Sequence, residues 1–417
     1  MAADSNNKKV AVTAGLRGAS WRPERMAEPF SSTPCPLVTQ DGQGALGVLF
    51  SRGGERKVVF IMHPRELVVT HYLVPDVLDA GWACWVQGAR SIGNDLRLEH
   101  EFALYDVAAG MRHLRSMGFQ TIVLLGNSGG AGLFAYYNQQ AQCAPERRIA
   151  KTPAGRPSQF GTADFPVADG IALVSPHPGQ GVLLMNALDP SVVDEADPFS
   201  VDPALDPFSE ANGFRLPPDS SSYAAGFIER YRAAQRQRVA RIDAFARQLV
   251  ERRQAARDRL KSGRERSDKA LASHGPIFQV WRTDADLRCW DTSLDPSDRY
   301  VGSLWGSDPF VSNLGSVGFG RIVTPESWLS TWSGLSSNAS LARCAHAIEQ
   351  PTLLVEYTGD NCVFPADVDA IFDAIPASAK ERHRVRGNHH GQALEEGEVS
   401  GQLVAGGHLR RWLQENF

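Results

Sequence analysis

The chain has 417 residues, of which 42% are apolar and 22% charged, proportions ordinary for a soluble globular protein with a sizeable core. A formal net charge of −4 argues against a dedicated nucleic-acid binder or a surface drawn strongly to membranes. The six cysteines contain no CxxC pair and read as free thiols of a cytoplasmic protein, and no stretch approaches the roughly 18 apolar residues of a membrane span.

Residues 1 to about 30 are polar and aperiodic and are expected to be a loosely held lead-in. Short apolar runs then alternate with longer amphipathic ones. Ala45–Phe50 and Val58–Met62 are expected strands, and 71–80 an expected helix with Thr70 as its N-cap. Trp82–Gln87 is a strand, and 99–117 carries a helical period through Leu104, Val107, Met111 and Leu114. The continuous run Thr121-Ile-Val-Leu-Leu125 predicts a strand covered on both faces. A helix over 132–142 and a strand at Ile171–Val174 follow. This alternation predicts a doubly wound, mostly parallel α/β sheet.

After Ser175 the pattern breaks. Residues 189–210 carry seven acidic side chains and no Lys or Arg, and an Arg-rich helical segment follows over about 223–265, with Val239, Ile242, Phe245 and Leu249 on one face. Its charge reads as a solvated face offset by the acidic stretch; steering of anionic substrates is the sharper alternative. Strand and helix signals return at 351–357, 366–374, 381–385 and 402–416. The expected organisation is therefore a first core part (1–178), a largely helical cap or lid insertion (179–345) and a second core part (346–417). Ligands in open α/β sheets bind at the carboxyl edge, where such an insertion would sit.

The chemistry-bearing motif is Gly126-Asn-Ser128-Gly-Gly130, of the form G-x-S-x-G, between the buried strand and a helix. A serine hydroxyl needs exposure on a sharp turn, small neighbours and a nearby base to act as a nucleophile. Phosphate-cradle patterns such as GxGxxG are missing. No His, Cys or carboxylate cluster has metal-ligand spacing, so neither a metal nor a cofactor is expected.

At these residues the chain resembles the α/β-hydrolase family, over about 250 residues of the two sheet-forming blocks. The family order is Ser, acid, His. Tyr357-Thr-Gly-Asp360-Asn-Cys-Val-Phe-Pro365 resembles the acid loop and Gly387-Asn-His-His390-Gly391 the histidine loop. The resemblance implies Ser128 as nucleophile, Asp360 as acid and His390 as base. Asp367 and Asp369 rival the acid, and His389 rivals the base. It implies Gly129 as one oxyanion donor and the Arg65 amide as the other, although Pro64 stands where the family commonly shows His-Gly. His63, Ser91, Asn127, His177, Trp305, Trp328 and Trp332 are expected near the substrate, whereas His71, His113, His346 and His408 read as structural. Trp281, Trp290, Phe310 and Phe319 add to the aromatic surface of the insertion.

The implied activity is hydrolysis of a carboxylic ester of a small, hydrophobic or aromatic molecule, by a chain that binds neither nucleic acid nor membrane and could pair as a homodimer. Gly-Asn-Ser also occurs in family members that cleave carbon–carbon bonds, which keeps that reaction open. Thioester cleavage and acyl transfer use the same parts, and a non-catalytic ligand receptor is the alternative from another class.

Overall fold

The computed structural model describes residues 20–26, 28–263 and 265–417. Eight strands form the central sheet: β1 (Ser31–Val38), β2 (Gly44–Ser51), β3 (Lys57–His63), β4 (Ala83–Gly88), β5 (Thr121–Asn127), β6 (Gly170–Val174), β7 (Thr352–Tyr357) and β8 (Lys380–Val385). Their order is β1-β2-β4-β3-β5-β6-β7-β8. β2 runs antiparallel to both neighbours, and β4 through β8 are parallel.

The sheet is covered on both faces because successive side chains point to opposite sides. Val58, Phe60, Met62, Ile122 and Leu124 face one core with helices α2 (His100–Ser116), α3 (Gly129–Gln142) and α6 (Pro365–Ala374). Val59, Ile61, Val123 and Leu125 face the other, with α1 (Val74–Asp79) and α7 (Gly401–Asn416). Helices on both faces explain why the inner strands read as unbroken apolar runs.

Three expectations are corrected at the amino-terminal side. β1 went unrecognised because Pro34 and Pro36 break its pattern; at the sheet edge, paired only with β2, prolines are tolerated. The end of the expected lead-in is packed rather than loose. The Trp21 amide donates to the Thr70 carbonyl at 2.8 Å, and Arg25 pairs with buried Asp76 at 2.9 Å. Residues 1–19 of that segment lie outside the described residues. Thr70 is not a helix cap: its hydroxyl bonds Ser20, and α1 begins only at Val74, capped by Leu73.

Between β6 and β7 the chain builds α4 (Gln180–Ala187), a hairpin (Val192–Asp194 with Asp197–Val201), the 36-residue α5 (Ala225–Leu260) and several short helices. The inner face of α5 carries Tyr231, Val239, Ile242 and Ala246, while Phe245 stays half exposed. Arg238 on that face is completely buried, pairing with Glu195 at 2.6 Å and donating to the carbonyls of Asp189 and Trp281. Glu195 also takes Arg241 at 2.9 Å. The acidic stretch thus neutralises part of the helix directly. Leu341, Cys344 and Ile348 already pack with α3 in the main core, so core packing resumes slightly before residue 346. Among the described residues no helix is long and apolar enough to cross a membrane.

Candidate active site

Ser128 stands between β5 and α3 with φ of 53°, a backbone conformation costly for a residue with a side chain and held here by its surroundings. Its amide donates to the Val174 carbonyl at 3.0 Å. The buried Asn127 side-chain amide donates to the same carbonyl at 2.9 Å, so Asn127 braces the turn rather than facing a substrate. A Cβ at Gly130 would lie 2.4 Å from the Met62 carbonyl, and one at Gly126 2.5 Å from the Ala131 amide. Only glycines let the helix come this close to the strands.

Asp360 follows β7. Its Oδ1 accepts the amides of Cys362 at 2.7 Å and Val363 at 3.0 Å, and its Oδ2 meets His389 Nδ1 at 2.7 Å. Ser175, at the end of β6, donates its hydroxyl to the same Oδ2. Complete burial pushes this carboxyl up, but the neighbouring imidazole and these donors outweigh it and hold Asp360 below the ordinary aspartate range. Asp367 instead pairs with Arg288 at 3.0 Å and Asp369 with Arg382 at 2.6 Å, so neither rival serves the site.

The histidine assignment is corrected. His389, not His390, turns its Nε2 to Ser128 Oγ at 2.9 Å. The loop after β8 closes on Asn388, whose Oδ1 accepts the amides of His390 and Gln392, each at 3.0 Å. That turn sends adjacent rings in different directions, 64° apart with centroids separated by 4.9 Å. Counting Gly-x-x-His could not see the turn.

Serine, aspartate and histidine therefore arise in that chain order from loops at the carboxyl ends of β5, β7 and β8. The fold is that of the α/β-hydrolases.

No protein-family model matches the chain, and no curated protein sequence is similar to it. Among solved structures, the α/β-hydrolase-fold chain is similar to DcsB, determined with a substrate analogue, at 13% identity and a TM-score of 0.49 over 93% of this chain and 100% of that one. It is similar to the α/β hydrolase GrgF from Penicillium sp. sh18 at 13% identity and a TM-score of 0.46, covering 93% and 99%. An esterase of Pyrococcus furiosus gives 11% identity and a TM-score of 0.42, covering 95% of each chain.

A cavity of about 120 Å³ opens beside Ser128 and His389. His63, Arg65, Glu66, His177, Gln180 and His390 line its polar side, and Leu304, Trp305, Val317 and Phe319 its apolar side. Two expected pocket rings are elsewhere. Trp328 is fully buried and donates to Asp243 at 2.7 Å, and Trp332 is buried with its ring 5.0 Å from the Arg65 guanidinium. Both hold the insertion together. Ser91 borders a different, Arg-lined cavity. Of the other insertion rings, Trp290 is fully buried, and Phe310 packs on Phe208 and Phe214. Trp281 lines a groove beside α5.

The expected role of the Arg65 amide is also corrected, because that amide donates to His63 Nδ1 at 3.2 Å. The Arg65 side chain is held by Asp95 at 2.7 Å. Ser175 and Gln180 escaped the sequence reading although both flank His177, in the loop just after β6. A polar Ser-x-His-x-x-Gln run directly following a buried strand is the signal that could have found them. All six cysteines are unpaired, and among the described residues no group of three His, Cys, Asp or Glu side chains is arranged to hold a metal.

Proposed function

We propose that this protein is a serine hydrolase that cleaves a carboxylic ester of a small molecule through an acyl-enzyme. One observation carries the reading: His389 bridges Ser128 and Asp360, at 2.9 Å on one side and 2.7 Å on the other. His389 takes the Ser128 proton as the oxygen attacks the carbonyl, and Asp360 orients the ring and stabilises its charged form. The same imidazolium protonates the departing alkoxide. A water then repeats the sequence on the acyl-enzyme, releasing the acid and free serine. The Gly129 amide, at the start of α3, supplies a backbone donor to the oxyanion. The small volume and the Trp305 and Phe319 walls favour a compact apolar or aromatic group. In this reading the segment between β6 and β7 acts as the cap.

The test is reaction with a fluorophosphonate probe together with turnover of short p-nitrophenyl esters. Both are expected in the wild type and lost in Ser128→Ala, with the melting midpoint retained. Turnover by Ser128→Ala within about tenfold of wild type overturns the reading.

A further inference from the structure

Beside the nucleophile, three side-chain nitrogens gather over Gly129. A Cβ built on Gly129, the residue after Ser128, would lie 2.5 Å from Gln180 Nε2, 2.8 Å from His63 Nε2 and 3.1 Å from His177 Nε2. The three nitrogens thus crowd the Gly129 backbone on the wall of the cavity that also exposes Ser128, coming from the end of β3, the loop after β6 and the first residue of α4.

The protonation of both rings is set by the backbone. His63 Nδ1 accepts the amides of Arg65 and Glu66, each at 3.2 Å, and His177 Nδ1 accepts the Gly179 amide at 3.0 Å. A ring nitrogen that accepts carries no proton, so in the neutral ring the hydrogen sits on Nε2 and faces the cavity. Burial and the surrounding cations keep the rings neutral: His177 is pushed down to about 3, and His63 lies well below its ordinary value. Gln180 is almost completely buried. Its side-chain amide lies in hydrogen-bonding reach of the His100 ring, which orients it, and borders the cavity.

The usual second backbone donor of this fold is meanwhile engaged with His63. We propose that His63, His177 and Gln180 form the oxyanion pocket together with the Gly129 amide. Their neutral N–H groups receive the substrate carbonyl oxygen as it becomes an alkoxide. The inference rests on Ser128 being the nucleophile. Neutral donors suit this task because they stabilise charge that develops only in the transition state, without holding a competing anion beforehand. The three side chains are held from behind, two by backbone amides and one by the His100 ring. Gly129 has no side chain, and one there would collide with all three.

The experiment compares Gln180→Met, His177→Met and His177→Gln with wild type in p-nitrophenyl butyrate hydrolysis, fluorophosphonate labelling, phenylboronic acid inhibition and melting. Gln180→Met is expected to lower kcat about 100-fold with KM within about twofold, since losing one oxyanion donor typically costs about 10²–10³. Its melting midpoint should stay within a few degrees of wild type, because Met keeps the volume and only the contact with His100 is lost. Boronate affinity should fall in parallel with kcat, because the tetrahedral adduct places oxygen in the same pocket. His177→Gln, which keeps a donor, should recover much of what His177→Met loses. His63 is left intact because its ring also organises the loop after β3. The proposal is overturned if Ser128 still labels while Gln180→Met and His177→Met both keep kcat within about threefold. It is equally overturned if kcat falls with the melting midpoint while boronate affinity stays unchanged. Failure of the wild type to label overturns this inference and the hydrolase reading together.

Discussion

Ser175, at the end of β6, donates its hydroxyl to the carboxylate of Asp360, at the end of β7, and lies 3.2 Å from His389 Nδ1. One hydroxyl therefore braces both partners of the nucleophile. Ser175→Ala is expected to lower kcat about tenfold by loosening the imidazole. The loss also removes one of the bonds that hold the Asp360 carboxyl below the ordinary aspartate range. Steady-state kinetics with melting measured alongside check the effect; an unchanged kcat contradicts the bracing role.

The two adjacent histidines make a sharp comparison. His389→Ala should cost orders of magnitude in kcat, whereas His390→Ala should stay within about tenfold, because only His389 reaches Ser128. Asp360→Asn should be severe and Asp367→Asn mild in rate. Steady-state kinetics on one ester, with melting measured alongside, distinguish these outcomes.

The aromatic rings of the insertion divide by burial. Trp305, half-buried against the cavity, should raise KM when replaced by Ala, with little change in melting. Trp328, fully buried and bonded to Asp243, should instead lose about 3–5 kcal/mol of stability on replacement by Ala, leaving KM unchanged in the folded fraction. Denaturant titration and kinetics on the same samples separate the two classes.

Buried His71 predicts a pH effect on stability. Burial pushes its pKa from 6.5 down to about 3. The unfolded ring takes up a proton near its ordinary value while the folded ring stays neutral, so between about 6.5 and 3 the unfolded state binds more protons. Stability is then lost as pH falls, at about 1.4 kcal/mol per pH unit from this group. His71→Gln should make the loss between pH 7 and pH 5 about 2 kcal/mol smaller than in wild type. Urea midpoints of both proteins at the two pH values give the difference.

The sheet was legible from sequence wherever burial on both faces produced an uninterrupted apolar run, as at Thr121–Asn127 and Thr352–Tyr357. The edge strand β1 was not, because an edge position relaxes the very constraint that makes inner strands recognisable. Ser128 and Asp360 could be placed because each directly follows a strand. The choice between His389 and His390 depended on the Asn388 turn, where one residue reverses the direction of a side chain. Trp328 and Trp305 look alike in sequence, and only the partner Asp243 and the course of α5 separate them. Gln180 and Arg65 were missed or misassigned for the same reason: what mattered was the occupancy of a single hydrogen-bond donor or acceptor.

The position of β7 between β6 and β8 also has a consequence for how activity arises in time. Ser128 and its turn are made early in synthesis, but the slots that receive Asp360 and His389 stay empty until the whole intervening segment has left the ribosome. A chain that still lacks β7 and β8 therefore holds the serine without the base that activates it. Only when β7 has paired with β6 and β8 with β7 do Asp360 and His389 arrive, so completing the sheet and switching on the nucleophile are one event.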